Sequence, residues 1–466
     1  MKNCFQGSFE CEVTVLRNNM RNLEWLLETT LINDRVQLHN LKLKKKRKNS
    51  FIDTKKVSAV IFIIRFFLLM VSSILEILRN SKPKSSLEKT SLVYDLTRQH
   101  LPPNIKSQEL YEFFFQPNRR IIDKNSKIVT IIKKASSAKN DNYKSLFFKK
   151  SFISYIISNE KTLFKRLRLV FFALAQTVYF IIASIKTKHL KYVLIDIFEI
   201  ALFLSSSASE SLNEIILTNN SFFNYPAISF IPKERRKFTT VMLHYSENAF
   251  DWTKKPSQQQ LPWISYAKAD LHKVWTQAFA KYLANLNIHG EVEFCGSIIF
   301  RPKIEYNFEQ DYVNRIAVFD VTPSLTEDQC GPYNLSSGIS FLRCINSFYD
   351  TIKKDYGEEL EFVFKAKRRD IPEHFKAYLN LRDELFNLRG FRGAKWNDNL
   401  YQIIASSNFV ICMVGTSPAL VAKELNIPVV YLHVGDVSIF EPPVDNEIEV
   451  LNSLEELLLH YKRVIK

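Results

Sequence analysis

Glycine is scarce in this chain. Ten occur in 466 residues, and only Gly7 precedes Gly290, so positions 8–289 hold none. Tight turns and helix ends with positive φ ordinarily fall to glycine. The gap therefore argues against a turn-dense first half and predicts a helix-rich one, with turns built from Asn, Ser, Lys and Pro. Cysteine is sparse as well: Cys4, Cys11, Cys295, Cys330, Cys344 and Cys412 form no CxxC pair and no metal-type spacing with histidine. Zinc ribbons and disulfide scaffolds are thereby excluded, and a reduced cytoplasmic protein is the economical expectation. Cys412 reads as a small core residue in an apolar strand. The N-terminus, MKNCFQGSFECEV, carries acids and no continuous apolar core, so no cleavable signal peptide is expected.

Acidic charge is short on one side only. Residues 291–466 hold 19 Lys and Arg against 26 Asp and Glu, a balance of −7; the whole chain is +16, which leaves +23 for residues 1–290. So basic a half seeks a polyanion. Nucleic acid is disfavoured, because no zinc-finger spacing, RNP motif or helix-turn-helix signature occurs there. The basic residues instead flank long apolar runs. Val57–Ile77 follows the cluster Lys42, Lys44, Lys45, Lys46, Arg47 and Lys48; Leu169–Ile185 lies between Lys165, Arg166 and Arg168 and Lys186 and Lys188; Tyr192–Leu204 is apolar apart from Asp196 and Glu199. That pattern predicts attachment to an anionic membrane surface. A bilayer span takes about 20 apolar residues, and Arg65 near the middle of the first run would cost roughly 2.5–3.5 kcal/mol there. Helices lying in the interface or packed in the N-terminal domain are expected, with a span at 57–77 as the alternative.

Chemistry is concentrated in Lys395–Asp436. This stretch reads as helix (Asn399–Ser406), buried strand (Phe409–Met413), a Gly-Thr-Ser turn, helix (Pro418–Leu425) and buried strand (Val429–His433). A strand that ends in a small-residue turn and opens into a helix aims backbone N–H groups and a helix dipole at one point. Pro418 fits the first helical turn, where its missing N–H costs nothing. In an open parallel sheet that point lies outside the carboxyl end of the strand, where ligands bind. An anion is expected, most simply a nucleotide phosphate, although such turns also occur purely as N-cap chemistry. The strand Leu360–Phe364 discharges into Lys365, Lys367, Arg368 and Arg369. A solvated charge run is the plain reading of such a cluster; two elements aimed at one edge favour a phosphate clamp.

Strand plus basic run, helix, the phrase SNFVIC, a Thr-Ser turn, helix and NIPVVYL together resemble the C-terminal half of a GT-B glycosyltransferase. More narrowly, the chain is similar to bacterial surface-polysaccharide biosynthesis proteins with a Pro-Phe-Thr-Ser motif at this turn. Thr416 and Ser417 are kept, while Val414 and Gly415 stand where that motif has Pro and Phe. Lys367, Arg368 and Arg369 stand where related transferases often carry a His-Pro pair. The likeness covers roughly Thr239 to the C-terminus.

The resemblance implies an α/β, GT-B-like fold: two Rossmann-like domains facing a cleft, with a helix-rich basic N-terminal region. Residues 1–90 are expected as the membrane-associating region, 91–299 as the acceptor-side domain and 300–466 as the nucleotide-sugar domain. It implies a membrane-associated glycosyltransferase with a nucleotide-sugar donor and a lipid-linked or glycan acceptor, at the cytoplasmic face of the inner membrane. A CDP-polyol phosphotransferase of similar fold and a non-catalytic scaffold are the other classes. Transfer needs a base, stabilisation of the departing phosphate and exclusion of water. The donor residues would be Lys365, Lys367, Arg368, Gly415, Thr416 and Ser417, with Glu424 on the ribose. Glu247 and His244, at the end of a strand read at Phe238–Leu243, are the candidate bases, with Asp270 and Asp320 in reserve. No DxD-like pair sits in a convincing loop, which fits a reaction with no metal and no cofactor.

Overall fold

The computed structural model describes residues 89–94, 127–131, 147–149, 152–160, 162–183, 194–217, 226–244, 268–286, 288–296, 314–321, 335–356, 360–366, 375–395, 398, 400–435 and 447–465, with Val71 and Leu75 as isolated helical positions. Lys42–Lys48 and nearly all of the run 57–77 lie outside these residues.

Two all-parallel sheets organise the chain. The first is built from β1 (Thr90–Tyr94), β2 (Lys127–Ile131), β3 (Phe147–Lys149), β4 (Leu212–Leu217), β5 (Thr239–His244), β6 (Lys268–Val274) and β7 (His289–Phe294), in the order β3-β2-β1-β4-β5-β6-β7. Helices α1 (Phe152–Asn159), α2 (Leu163–Ala183) and α3 (Leu194–Leu204) precede β4, and α4 (Gln277–Asn285) links β6 to β7. The second sheet holds β8 (Asn314–Phe319), β9 (Leu360–Lys365), β10 (Phe391–Gly393), β11 (Phe409–Met413), β12 (Val429–Leu432) and β13 (Val450–Leu451), in the order β10-β9-β8-β11-β12-β13. Its helices are α5 (Leu335–Tyr356), α6 (Lys376–Phe386), α7 (Leu400–Ala405), α8 (Ser417–Glu424) and α9 (Leu454–Val464). In each sheet the earliest strand is central and the order reverses beside it, the doubly wound Rossmann pattern. Two such sheets in succession are the arrangement of the GT-B class.

Parallel strands are covered on both faces and so read as unbroken apolar runs. FVICM of β11 and VVYL of β12 are such runs, and they pair in register Val410–Val429 to Met413–Leu432. Aromatic packing fixes helices to this sheet: Phe348 of α5 meets Phe362 edge-on at 6.2 Å, and Tyr461 of α9 meets Phe409 edge-on at 5.3 Å. Ser453 caps α9 by accepting the Glu456 N–H at 3.1 Å. Ion pairs hold the amino edges. Glu361 of β9 joins Arg315 of β8 to Arg392 of β10, and Arg236 grips Asp270 of β6 with two bonds of 2.7 and 2.8 Å.

Before Phe238, where a helix-rich chain was expected, the described residues hold strands as well as helices. Four strands, β1 to β4, lie there beside α1, α2 and α3. Lack of glycine restricts turns with positive φ; it places no restriction on strands. The described part of the run Tyr192–Leu204, Leu194–Leu204, is a core helix, since Ile197, Phe198, Ile200, Ala201, Leu202 and Phe203 of α3 are all buried. Helix α2 differs: Phe164, Phe171 and Val178, seven residues apart, are exposed, with Lys165 and Arg168 exposed between them. Among the described residues, no helix is long and apolar enough to cross a membrane.

Candidate functional site

The carboxyl ends of β8 and β11 flank the point where the strand order of the second sheet reverses. Beyond β11 the chain turns through Val414 and Gly415, whose φ of 67° lies in the left-handed region that glycine enters without strain. Thr416 then occupies the N-cap position of α8, yet its hydroxyl makes no cap bond; it turns back and donates to the Met413 carbonyl at 2.8 Å. Tyr431 donates to the Thr416 carbonyl at 3.3 Å, which pins the turn from the neighbouring strand. The first turn of α8 is thus held in place without a side-chain oxygen on its N–H groups, and the positive end of its dipole faces the switch point. The turn and helix that hold Gly415, Thr416 and Ser417 form as their apolar flanks and Pro418 direct.

Across the reversal stands Asp320, buried at the end of β8. The phenol of Tyr378, from α6, donates to its Oδ2. Burial first, and the Asp320 charge second, hold that phenol far above its ordinary pKa. The Val321 N–H reaches Met413 Sδ at 3.3 Å, tying the two strand ends together. On the next strand, buried His433 and Gly435 follow β12. A Cβ on Gly435 would lie 2.7 Å from Ser337 Oγ of α5 and 2.9 Å from His433 Cε1. A side chain at 435 would displace the Ser337 hydroxyl and the His433 ring. Sequence reasoning held Asp320 in reserve and passed over His433, Gly435 and Ser337; the small-residue start of α5, Ser336-Ser337-Gly338, was the available signal.

Lys365 is the last residue of β9, one strand from β8, and half-buried. Its ammonium donates to the Lys395 carbonyl at 3.0 Å. Burial lowers its pKa, and Asp398 opposes that shift. It therefore anchors the loop after β10 as well as charging the edge. Lys367 and Arg368 lie outside the described residues. Glu424 is the final residue of α8, so seven helical steps, roughly 10 Å, separate it from Ser417. The structure does not bring Glu424 to the turn.

In the first sheet, His244 is the last residue of β5 and 2% exposed. Its Nε2 lies 3.0 Å from Nδ1 of His272 on β6, and His272 Nε2 lies 2.9 Å from the His289 carbonyl on β7. Burial, and then the neighbouring His272, push the His244 pKa well below the usual value; burial brings His272 down to about 4, against its bond to the His289 carbonyl. Both rings are neutral at pH 7. Glu247, the other candidate base, is outside the described residues. Asp270 is set at the opposite end of its strand from His244, and although burial works against its charge, Arg236 and Thr240 keep its pKa low. It is a structural counter-ion. Among the described residues no group of His, Cys, Asp and Glu is arranged to hold a metal ion.

Residues 178–457 match the family of the polysaccharide biosynthesis PFTS motif protein, and the chain belongs to that family. No curated protein matches it. Among solved structures it is similar to the S. aureus MnaA–UDP co-structure, with 11% identity over 81% of this chain and 88% of that one and a TM-score of 0.44. It is also similar to UDP-GlcNAc 2-epimerase of Methanocaldococcus jannaschii in complex with UDP-GlcNAc and UDP (10%, 81%, 93%, TM-score 0.43). A third is alpha,alpha-trehalose 6-phosphate synthase of Burkholderia multivorans (9%, 81%, 89%, TM-score 0.42). At these values the likeness assigns no chemistry.

Proposed function

We propose that the chain is a GT-B-type glycosyltransferase of surface-polysaccharide synthesis, working at an anionic membrane surface on the cytoplasmic side. The observation that carries this is the Gly415-Thr416-Ser417 turn, uncapped by its own threonine and set where the second sheet reverses its order beside Asp320. A nucleotide sugar would place its phosphates on the first-turn amides of α8. Lys365, Lys367 and Arg368 would neutralise them. As the anomeric carbon leaves the phosphate oxygen, negative charge grows on the nucleotide, and fixed amide dipoles and cations aimed there stabilise it. The acceptor hydroxyl, from a lipid-linked or growing glycan, would be held over the first sheet near His244 and Glu247.

The outward row of α2 supports the membrane half of this reading. Phe164, Phe171 and Val178 offer apolar surface, and Lys165 and Arg168 offer charge for lipid phosphates. The test is turnover with a panel of nucleotide sugars in the presence of lipid-linked acceptors. Sugar transferred from one donor is the expected result. Release of a polyol phosphate from a CDP-linked donor would assign phosphotransfer, and no turnover with any donor would favour a scaffold.

A further inference from the structure

Three strands of the first sheet carry one histidine each toward a single hydrogen-bonded chain. Its end is a backbone carbonyl, that of His289, and a carbonyl can only accept. The proton of neutral His272 therefore sits on Nε2, which leaves a lone pair on its Nδ1. That atom faces His244 Nε2 at 3.0 Å, so the proton of His244 must sit on Nε2 in turn. What remains is His244 Nδ1, a lone pair, buried and without a hydrogen bond among the described residues. On its other side the ring meets the apolar Phe279 edge-on at 5.5 Å, which offers no donor. Buried polar atoms almost always find a partner. An acceptor held ready at the carboxyl edge of a doubly wound sheet calls for a hydroxyl or amide from a ligand.

We infer that the His244–His272–His289 chain is a tautomer lock, which presents the His244 Nδ1 lone pair as the atom that accepts the hydrogen of the sugar-acceptor hydroxyl. The inference rests on the transferase reading above and names the acceptor-binding atom within it. His272 is then a positioning residue: it touches no substrate and acts by fixing which nitrogen of His244 is bare. In the transfer, the hydroxyl oxygen bonds to the anomeric carbon while the bond from that carbon to the phosphate oxygen breaks. The electron pair leaves with the nucleotide, and the hydroxyl proton passes to His244 Nδ1. A weakly basic imidazole suffices, because an alcohol oxygen that has gained a bond to carbon is far more acidic than an imidazolium. The His244 Nε2–H goes on donating to His272 Nδ1 throughout, so the charged His244 ring keeps its acceptor.

The decisive experiment is nitrogen NMR of the full chain with labelled histidine, joined to kinetics of three variants. In the wild type His244 should show a bare Nδ1 and a protonated Nε2 at pH 7. His272→Phe keeps the volume but removes the acceptor, and the His244 signals should move toward a mixture of tautomers. The conservative His272→Asn can accept through its amide oxygen and should restore the wild-type pattern. Turnover should fall about tenfold in His272→Phe and about a hundredfold or more in His244→Ala, with nucleotide-induced melting shifts unchanged in both. A wild-type His244 protonated on Nδ1, or charged at pH 7, overturns the inference, as does full turnover in folded His244→Ala or His272→Phe. If no nucleotide shifts the melting of the wild type, the transferase reading fails by itself, and the nitrogen signals still decide the tautomer.

Discussion

Single residues with unusual surroundings carry both the donor turn and the histidine chain. Gly415 occupies a left-handed φ that costs other residues about 1–2 kcal/mol. Gly415→Val should therefore lower the melting temperature modestly, and nucleotide affinity by more than that cost alone, since its side chain would stand where phosphate approaches backbone. Calorimetric titration separates the two effects. Lys367→Ala removes one charge-assisted contact of roughly 1.5–3 kcal/mol, so donor binding should weaken by about ten- to a hundredfold. Lys462→Ala, which breaks only a half-exposed pair with Asp355 at 3.3 Å, is the control and should bind as the wild type does. Tyr378→Phe takes the phenol from buried Asp320 and should cost about 1.5–3 kcal/mol of stability, read by urea denaturation.

Histidine burial also sets a pH dependence. Burial holds His272 down to about 4 in the folded chain against an unfolded value near 6.5; its bond to the His289 carbonyl and the Asp270 charge work the other way, and the His289 ring adds to the lowering. The unfolded state therefore binds more protons in this interval, and stability falls as pH drops from about 6.5 toward 4. His272 alone should remove roughly 3 kcal/mol across that window, and His244 adds to the loss in the same direction. Melting temperature followed from pH 7 to 4.5 checks the sign; a flat or rising profile would contradict the neutral buried pair.

At the element scale, the unit from β11 through α8 to β12 was legible because each part has a strong local cause. The strands are unbroken apolar runs, Pro418 opens the helix, and Asn426 at φ 57° closes it. Strand β6 was not legible: Lys268–Val274, KADLHKV, is mostly polar and carries no apolar run. Its polar residues are buried by partners invisible in sequence: His272 by His244 and the His289 carbonyl, Lys273 by Glu293 at 3.0 Å. The positioning histidine was missed with them, since nothing in its sequence neighbours marks His272 as buried. Strands β10 and β13, of three and two residues, carry too little pattern to be read at all. Helix α2 was read as apolar, but only the fold shows which of its faces is left outside. Replacing Phe164 and Phe171 by Glu should weaken binding to anionic vesicles while leaving the melting temperature near that of the wild type. Unchanged vesicle binding would remove α2 from the membrane surface.

At the scale of the whole molecule, charge and glycine both divide the sequence near residue 290, and the sheets divide it in the same region, the first ending at Phe294 and the second starting at Asn314. The acidic balance of the last 176 residues makes the basic cluster after β9 a local exception, which is how a donor phosphate would find it. The basic first half would keep the acceptor side at lipid phosphates, and this attachment should weaken as salt rises, since exposed charges are screened within about 8–10 Å. The central claim is that the Gly415–Ser417 turn holds a nucleotide phosphate. Its most direct test is the melting temperature of the wild type and of Gly415→Val against a panel of nucleoside diphosphates and monophosphates. A ligand bound only by the folded chain at a hundredfold excess over its Kd stabilises it by about 2.7 kcal/mol. The melting temperature of the wild type should rise with the concentration of one nucleotide, and that of Gly415→Val should rise little or not at all. Equal rises in both proteins, or none in either, would contradict that claim.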